Sequence, residues 1–437
     1  MRAQQSWAWR GVVIPGVVAT LILSLALTGT VPAAPAEKAV VLVRTGVEAD
    51  SIRAVAQAYT AKTGRPVEIM EAGRRGFYPA VYTQLLGGAT SFDLAQLNDV
   101  DVGPLAEAGV IAPIDPFLFN RSMTDPVEYD LWDFPFIYRY AGRVYAVPFD
   151  ISTMFLYYRS DLISRPPQTW DEYLETAKKW TKSRNPTSPT LYGATLTALA
   201  GSEQPKTFYT VMWSKGGWIV NDKCQVGVDS PGALAAAEFY VKLRTEKVVP
   251  PDLSSWGFSE VYDALRVGAV AMAAPYWNAA YPLLKASDSP LKDKIRITLV
   301  PGERQPNGSI LRTPFQQGKI LVLNAHSPRK EAAWRFLAYL TGKEGTRIMA
   351  QAGGTPSRMS AFRDPTLQPR EYYEMMLASL RIARGDRGFP FYAEQHEAMN
   401  SALSSIVTGT GEPRAALERA GRVIRDLIKR HGFERCQ

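Results

Sequence analysis

Gly142-Arg-Val-Tyr-Ala-Val-Pro-Phe-Asp150 runs straight into Ile151-Ser-Thr-Met-Phe-Leu-Tyr-Tyr-Arg-Ser-Asp161, and Pro167-Gln-Thr-Trp-Asp-Glu-Tyr173 follows after a few residues. This stretch reads as a strand, a short break, a buried strand, a loop and a capped helix. Thr169-Trp-Asp-Glu172 is a capping box, in which the hydroxyl satisfies a free backbone amide and the carboxylate reaches back. Trp170, Tyr173, Leu174 and Ala177 then fall on one helical face.

Upstream, strands and helices alternate. Ala39 to Thr45 is a short Val-rich run that reads as a buried strand. Asp50 or Ser51 is placed to cap the next helix, whose apolar face is Ile52, Val55, Ala56 and Tyr59. Gly64 ends that helix and Pro66 prevents its return. A strand from Val67 to Met70, a helix around Tyr78 to Leu86 and a strand from Asp93 to Asn98 follow. The βαβαβ order predicts an α/β fold with a mostly parallel sheet covered on both faces. Ligands in such sheets sit beyond the carboxyl ends of strands, here Gly46 to Glu48, Gly73 to Tyr78 and Asn98 to Asp101. Downstream, Ser230-Pro231 and Ser327-Pro328 each read as a cap followed by a first-turn proline. The last helix starts near Pro413, buries Leu417, Ala420, Ile424, Leu427 and Ile428, and stops at Gly432.

A chain of 437 residues is too long for one compact core, so two lobes are expected. Hydrophobic residues at 46% and charged residues at 21% suit a globular protein. The N-terminus reads as a targeting segment. Arg2 and Arg10 are followed by an apolar run from Gly11 to Gly29 and a small-x-small site at Ala34-Pro-Ala36, which makes Glu37 the first mature residue. An uncleaved anchor is the rival reading, because the run approaches spanning length; Pro15, Gly16 and the Ala-Pro-Ala site favour cleavage. No Cys lies near residues 20 to 40, which argues against a lipid anchor. Without residues 1–36 the net charge falls from +8 to +6, since Arg2 and Arg10 go and no acid does. The excess is spread out, so nucleic acid is not an expected partner. Cys224 and Cys436 are too few for a zinc site; in an oxidising compartment they are available to pair and tie the tail to the second lobe, if geometry allows.

Several phrases together resemble the sugar-binding receptors of bacterial import systems, the family 1 extracellular solute-binding proteins of maltose-binding-protein type. Ala56-Gln-Ala-Tyr-Thr-Ala-Lys-Thr-Gly64 is similar to the family's first helix, and Leu105-Ala-Glu-Ala-Gly-Val-Ile-Ala-Pro-Ile-Asp115 to a helix-to-strand phrase of its first lobe. Gly216-Gly-Trp-Ile-Val220 with Val228-Asp-Ser-Pro-Gly-Ala233 resembles its double-glycine hairpin and next helix. Val267-Gly-Ala-Val-Ala-Met272, Gln317-Gly318 before Lys319 to Leu323, Ala332 to Leu340 and Gly353-Gly-Thr-Pro-Ser357 follow in the family's order. Two departures stand out: Arg159 replaces the usual Asn after paired aromatics, and Ala-Ala-Pro-Tyr-Trp277 lacks a Gly before the Trp. The second leaves open whether Tyr276 or Trp277 faces the cleft.

The resemblance implies a two-lobe periplasmic-binding-protein fold of type II with a ligand cleft between the lobes. Residues 1–36 would be a signal peptide, 37–150 and 314–357 lobe 1, and 151–313 and 358–437 lobe 2. The chain would cross between lobes at Val147 to Thr153, at Thr313 to Gly318, and near Pro356 to Asp364. A sugar site needs aromatic planes for the ring's CH face and fixed donors and acceptors for its hydroxyls. The resemblance places such residues at Glu48, Arg74, Asn98, Asp99, Asp150, Ser152, Tyr209, Trp213, Tyr276 or Trp277, Asn278, Gln317 and Gly318. Trp213 has burial as a serious rival reading, Asp150 is placed equally well to hold hinge amides, and Asn98-Asp99 also suits a plain turn. Arginines at Arg74-Arg75 facing the cleft would admit an acidic solute.

Catalytic signatures are not found. The histidines are His326, His396 and His431, and the sequence contains no His-Glu-x-x-His, no Gly-x-Ser-x-Gly and no phosphate loop. The expectation is therefore a carrier, with no cofactor, that closes on a carbohydrate in the periplasm as a monomer and delivers it to permease subunits of an ABC importer. A glycosidase acting through a carboxylate pair, and a binding protein feeding a chemosensor, are the alternatives.

Overall fold

The computed structural model describes residues 37–73, 76–201, 203–285 and 288–433. Strand β1 (Ala39–Arg44), helix α1 (Val47–Thr63), β2 (Val67–Ala72), α2 (Phe77–Leu86) and β3 (Leu94–Asn98) form the first βαβαβ unit, with β1 parallel to both β2 and β3. Helix α1 begins three residues before the expected cap. Gly46 takes a φ of 122°, which lets the chain turn directly from β1 into the helix, and neither Asp50 nor Ser51 caps it. At the other end Gly64 adopts the left-handed conformation and closes the helix on the Thr60 carbonyl, as expected.

After β4 (Ile111–Ala112) comes the long strand β5 (Pro148–Arg159), which belongs to both lobes. Its first half pairs with β9 (Gln316–Asn324); its second half pairs with β7 (Val270–Trp277) and β8 (Ile295–Leu299). Strand β6 (Tyr192–Thr195) extends that side parallel to β7. The order is β2-β1-β3-β9-β5-β7-β6, with the returning strand β9 antiparallel to both β3 and β5. The sheet is thus mixed, and β9 and β5 are its seam.

Alternate residues feed separate cores, as a pleated strand buried on both faces requires. In lobe 1, Val41 and Val43 of β1 pack with α1 and with α7 (Lys330–Thr341), while Val40 and Leu42 pack with α2. In lobe 2, Met154 and Leu156 of β5 join one cluster, and Ile151, Phe155 and Tyr157 join another. The first holds α3 (Trp170–Lys179), α4 (Gln204–Ser214), α5 (Pro231–Thr245) and the C-terminal helices; the second holds α6 (Phe258–Val267) and, downstream of α8 (Lys343–Gln351), α9 (Arg370–Leu380). Helices α10 (Tyr392–Thr408) and α11 (Pro413–Arg430) finish lobe 2. Buried residues from Ile320 to Met349 pack in the clusters that hold β1 and β3, and Ala350 and Phe362 pack with α6 and α9.

The caps divide. Thr169 accepts from the Glu172 amide, and the Glu172 carboxylate reaches one residue past Thr169 to the Gln168 amide. Ser230 caps α5 through the Ala233 amide. Ser327 does not cap α7: its hydroxyl donates to buried Asp93 at 2.6 Å, and the helix starts at Lys330 without a side-chain cap. Asp93 instead collects Val40 N, Ser327 and Arg329, which anchors the helix to the sheet. Among the described residues no helix is long and apolar enough to cross a membrane.

Candidate ligand cleft between the lobes

Antiparallel pairing puts directly opposed residues on one face of a sheet. Gln317 lies opposite Ser152 and Lys319 opposite Asp150, so the seam presents four polar side chains together. Asp150 is only 6% exposed; its Oδ2 accepts from Thr355 N at 3.4 Å and its Oδ1 has no hydrogen-bond partner among the described residues. Ser152 and Lys319 make no side-chain hydrogen bond or ion pair among the described residues. Gly318 sits between them with its amide donated to Asp99 Oδ2 at 3.0 Å. A Cβ there would stand 2.0 Å from the Tyr138 hydroxyl, so only glycine lets the Tyr138–Tyr140 strand approach the seam.

Lobe 1 supplies one wall. Glu48, in the first turn of α1, pairs with Arg44 at the end of β1. Burial pushes its carboxyl up, but Arg44 and Lys319 outweigh this and hold it below its ordinary value. Gln96 Oε1 takes the Arg44 amide at 2.9 Å, while its Nε2, Arg44 Nε and the Tyr78 hydroxyl are buried without a hydrogen-bond partner among the described residues. Asp99 accepts from Val100 N and Gly318 N, both at 3.0 Å, and burial pushes it up to about 6. Asn98 is half-buried and donates its amide to Asp101.

Lobe 2 supplies the other wall. Lys206 on α4 is buried and donates to Gln317 Oε1 at 3.0 Å. Burial lowers its pKa, against the pull of Asp99 and Glu203. Further along the helix, Tyr209 and Trp213 stack with Phe315, the Trp213 and Phe315 ring centroids lying 5.5 Å apart with the planes at 12°. Thr210 accepts the Phe315 amide at 3.0 Å, which fixes α4 to the start of β9. Trp277 meets Phe315 edge-on and is 6% exposed, with its indole N–H unpartnered. The segment 384–390, between α9 and α10, reaches across to lobe 1. There Gly103 and the Gly388 carbonyl are so close that a Cβ on Gly103 would lie 1.7 Å away. Asp386 in this segment accepts from Arg387 N and Gln395 Nε2, and burial pushes it up to about 7.

Residues 45–347 match the model for bacterial extracellular solute-binding proteins. The chain belongs to that family. An overall likeness supports the fold: the maltose-bound MalE3 of T. maritima superposes with a TM-score of 0.75 at 22% identity, over 89% of this chain and 99% of that one. A ribitol-bound ABC-transporter solute-binding protein of Agrobacterium radiobacter K84 also gives 0.75 at 22% identity, over 89% and 98%. A probable ABC transporter-binding protein of Deinococcus radiodurans is 25% identical over 84% of this chain and 88% of its own length. The two-lobe α/β architecture is that of these binding proteins.

Of the residues expected at the site, Glu48, Asp99, Asp150, Ser152, Gln317 and Gly318 meet at the seam, with Asn98 beside them. Tyr209, Trp213 and Trp277 gather around Phe315. Tyr276 does not join them: it faces the other side of β7 and donates to the Phe258 carbonyl at 2.6 Å. Asn278 is wholly buried; its Oδ1 accepts from Thr153 N and its Nδ2 donates to the Tyr372 hydroxyl, which ties β7 to the seam. Arg74 and Cys436 lie outside the described residues; Cys224 is buried and not a free thiol. Sequence reasoning missed Arg44, Gln96, Lys206, Lys319 and Asp386. Lysines on helices and strands read as solvated charge; the pairing of β5 with β9 shows where Lys319 points, and the bond to Gln317 shows where Lys206 does. The alternation Gln317-Gly-Lys319 was the available signal.

Proposed function

We propose that the chain is the solute-binding component of an ABC importer. It takes a polyhydroxylated small molecule, a sugar or polyol, between its lobes and hands it unaltered to the permease. The observation that carries this reading is the seam itself. In a member of a solute-binding family, the two crossing strands carry Asp150, Ser152, Gln317 and Lys319 on one face, and both walls bring buried polar atoms that have no hydrogen-bond partner among the described residues. Leaving such groups unsatisfied costs free energy that a ligand's hydroxyls recover. The aromatic stack of Tyr209, Trp213 and Phe315 supplies a plane for an apolar ring face. The maltose and ribitol in the two similar structures are ligands of this chemistry.

Closure follows because a solute touching Glu48 and Asp99 on one side and Lys206 on the other binds the closed state better than the open one. The lobe boundaries are those given above, with 37–150 and 314–357 in one lobe. Residues 1–36 direct export to the periplasm and are removed, Cys224 pairs with Cys436, and the mature protein works as a monomer. A thermal-shift screen over neutral sugars and polyols tests the reading, with solution scattering on each hit. A raised melting temperature with a smaller radius of gyration is expected. No stabilisation by any member, or release of cleavage products from an oligosaccharide, overturns it.

A further inference from the structure

We infer that Gly103 and Gly388 form a latch that holds part of the population closed before a solute arrives. The inference rests on the solute-binding reading and deepens it, by naming what sets the balance between open and closed lobes. The latch belongs to the strap 384–390. One end of the strap lies along the start of β9: the Arg384 carbonyl accepts from Gln316 N at 2.8 Å, and the Arg384 amide donates to Pro314 O at 3.0 Å. The other end is bedded in lobe 2. Phe389 and Phe391 stack with ring centroids 5.0 Å apart and planes at 6°, Phe433 meets both edge-on, and the Phe389 carbonyl takes the Tyr392 amide.

Gly388, beside this anchor, rests on the turn of lobe 1 that follows Asp99. A Cβ on Gly388 would stand 2.8 Å from the Val100 carbonyl oxygen. Gly103, in the short helix Val102–Glu107, meets the Gly388 carbonyl in return, so each lobe presents a glycine to the backbone of the other. Neither glycine has a positive φ. The backbone at both positions therefore accepts alanine; the space between the lobes does not.

This contact is built to be made and broken. Among the described residues no backbone hydrogen bond joins 99–103 to 384–390, so opening strands no backbone donor there. The contact also stands apart from the lobe cores. Cavities of about 500 and 730 Å³ flank the strap and share Asp386, Arg387 and Phe389 in their walls. The touching atoms are backbone atoms of this chain, so the latch needs none from a solute. Such close contacts lose a quarter to a half of their attraction over a gap of about 0.5–1 Å, so one methyl group wedged between the backbones removes the latch. Apparent affinity scales with the fraction of molecules in the competent state. The latch thus sets affinity by one factor for every solute, whatever the side chains at the seam prefer.

Solution scattering on the mature protein, unfolded and refolded to strip any carried solute, tests the latch. Gly103→Ala and Gly388→Ala are each expected to raise the radius of gyration above the parent's. The double variant is expected to raise it no further than the larger single effect, because both substitutions remove the same contact. Melting temperatures are expected to hold, since alanine suits the helix at 103 better than glycine does and the backbone at 388 admits it. The two positions lie on opposite lobes, so either variant decides the question should the other fail to fold. An unchanged radius in a folded variant overturns the inference, whether or not its melting temperature falls, and so does a double variant whose effect is the sum of the two. None of these outcomes bears on the solute-binding reading, which the screen on the parent chain tests separately.

Discussion

The chain joins its lobes in two chemically opposite ways. At the seam of β5 and β9, Lys319, Ser152 and one oxygen of Asp150 make no side-chain hydrogen bond among the described residues, although Lys319 acts electrostatically on Glu48 and Asp150. At the later crossing, Arg358 is wholly buried and its guanidinium is fully used. It donates to the carbonyls of Thr341, Tyr129 and Asp130, lies 3.5 Å from Asp133, and stands over the rings of Tyr129 and Phe134. Both places carry charge in a dry setting. Only the second is complete without another molecule. A satisfied buried charge holds a structure together, whereas an unsatisfied one is a demand on a partner.

This contrast is open to attack by substitution. Arg358→Ala strands three carbonyls and is expected to cost about 3–5 kcal/mol in urea unfolding, with solute affinity changed less than about twofold. A large affinity loss without destabilisation would reverse the roles assigned to the two crossings. Lys319→Met is expected to do the converse, weakening solute binding about 10–100-fold by calorimetry with a smaller loss of stability than Arg358→Ala.

Asp150 sharpens the comparison through pH. Burial, its main cause, raises the folded-state value to about 6, well above the ordinary 3.8. Between those values the folded protein holds a proton that the unfolded chain has lost, so this group's stabilisation is present below about pH 4 and disappears as pH rises to about 6. Asp150→Asn is therefore expected to be more stable than the parent by about 1–2 kcal/mol near pH 8, with the two converging near pH 4. Melting curves across that range check it; a variant less stable at pH 8 would show Asp150 already compensated. Ser152→Ala is the mildest test, an expected loss of about 2–10-fold in affinity with unchanged melting.

The sequence made the seam legible because its signals are local. Gly142 to Asp161 reads as strand, break and strand. The structure puts the break at Val147, between a strand at Arg143–Ala146 and β5, which runs on without interruption through Asp150 and Ile151. Thr169, Ser230 and Gly64 close their helices through contacts within a few residues. Ser327 misled because its hydroxyl is claimed by Asp93, 234 residues away in sequence. The walls of the cleft were legible only in part for the same reason. Lys206, Asp386 and Gln96 acquire meaning from neighbours that distant segments deliver, and Tyr276 and Trp277 cannot be told apart until β7 shows which face meets Phe315. Burial separates such pairs; residue type alone does not.

Strand β9 is inserted between β3 and β5 although it is made from residues 316–324. Lobe 1 therefore lacks a central strand until about three hundred further residues have followed β1 off the ribosome. Contacts of such long sequence separation form slowly. A nascent chain built this way cannot complete the first-lobe sheet until residues 316–324 have been made, so that lobe closes late in synthesis.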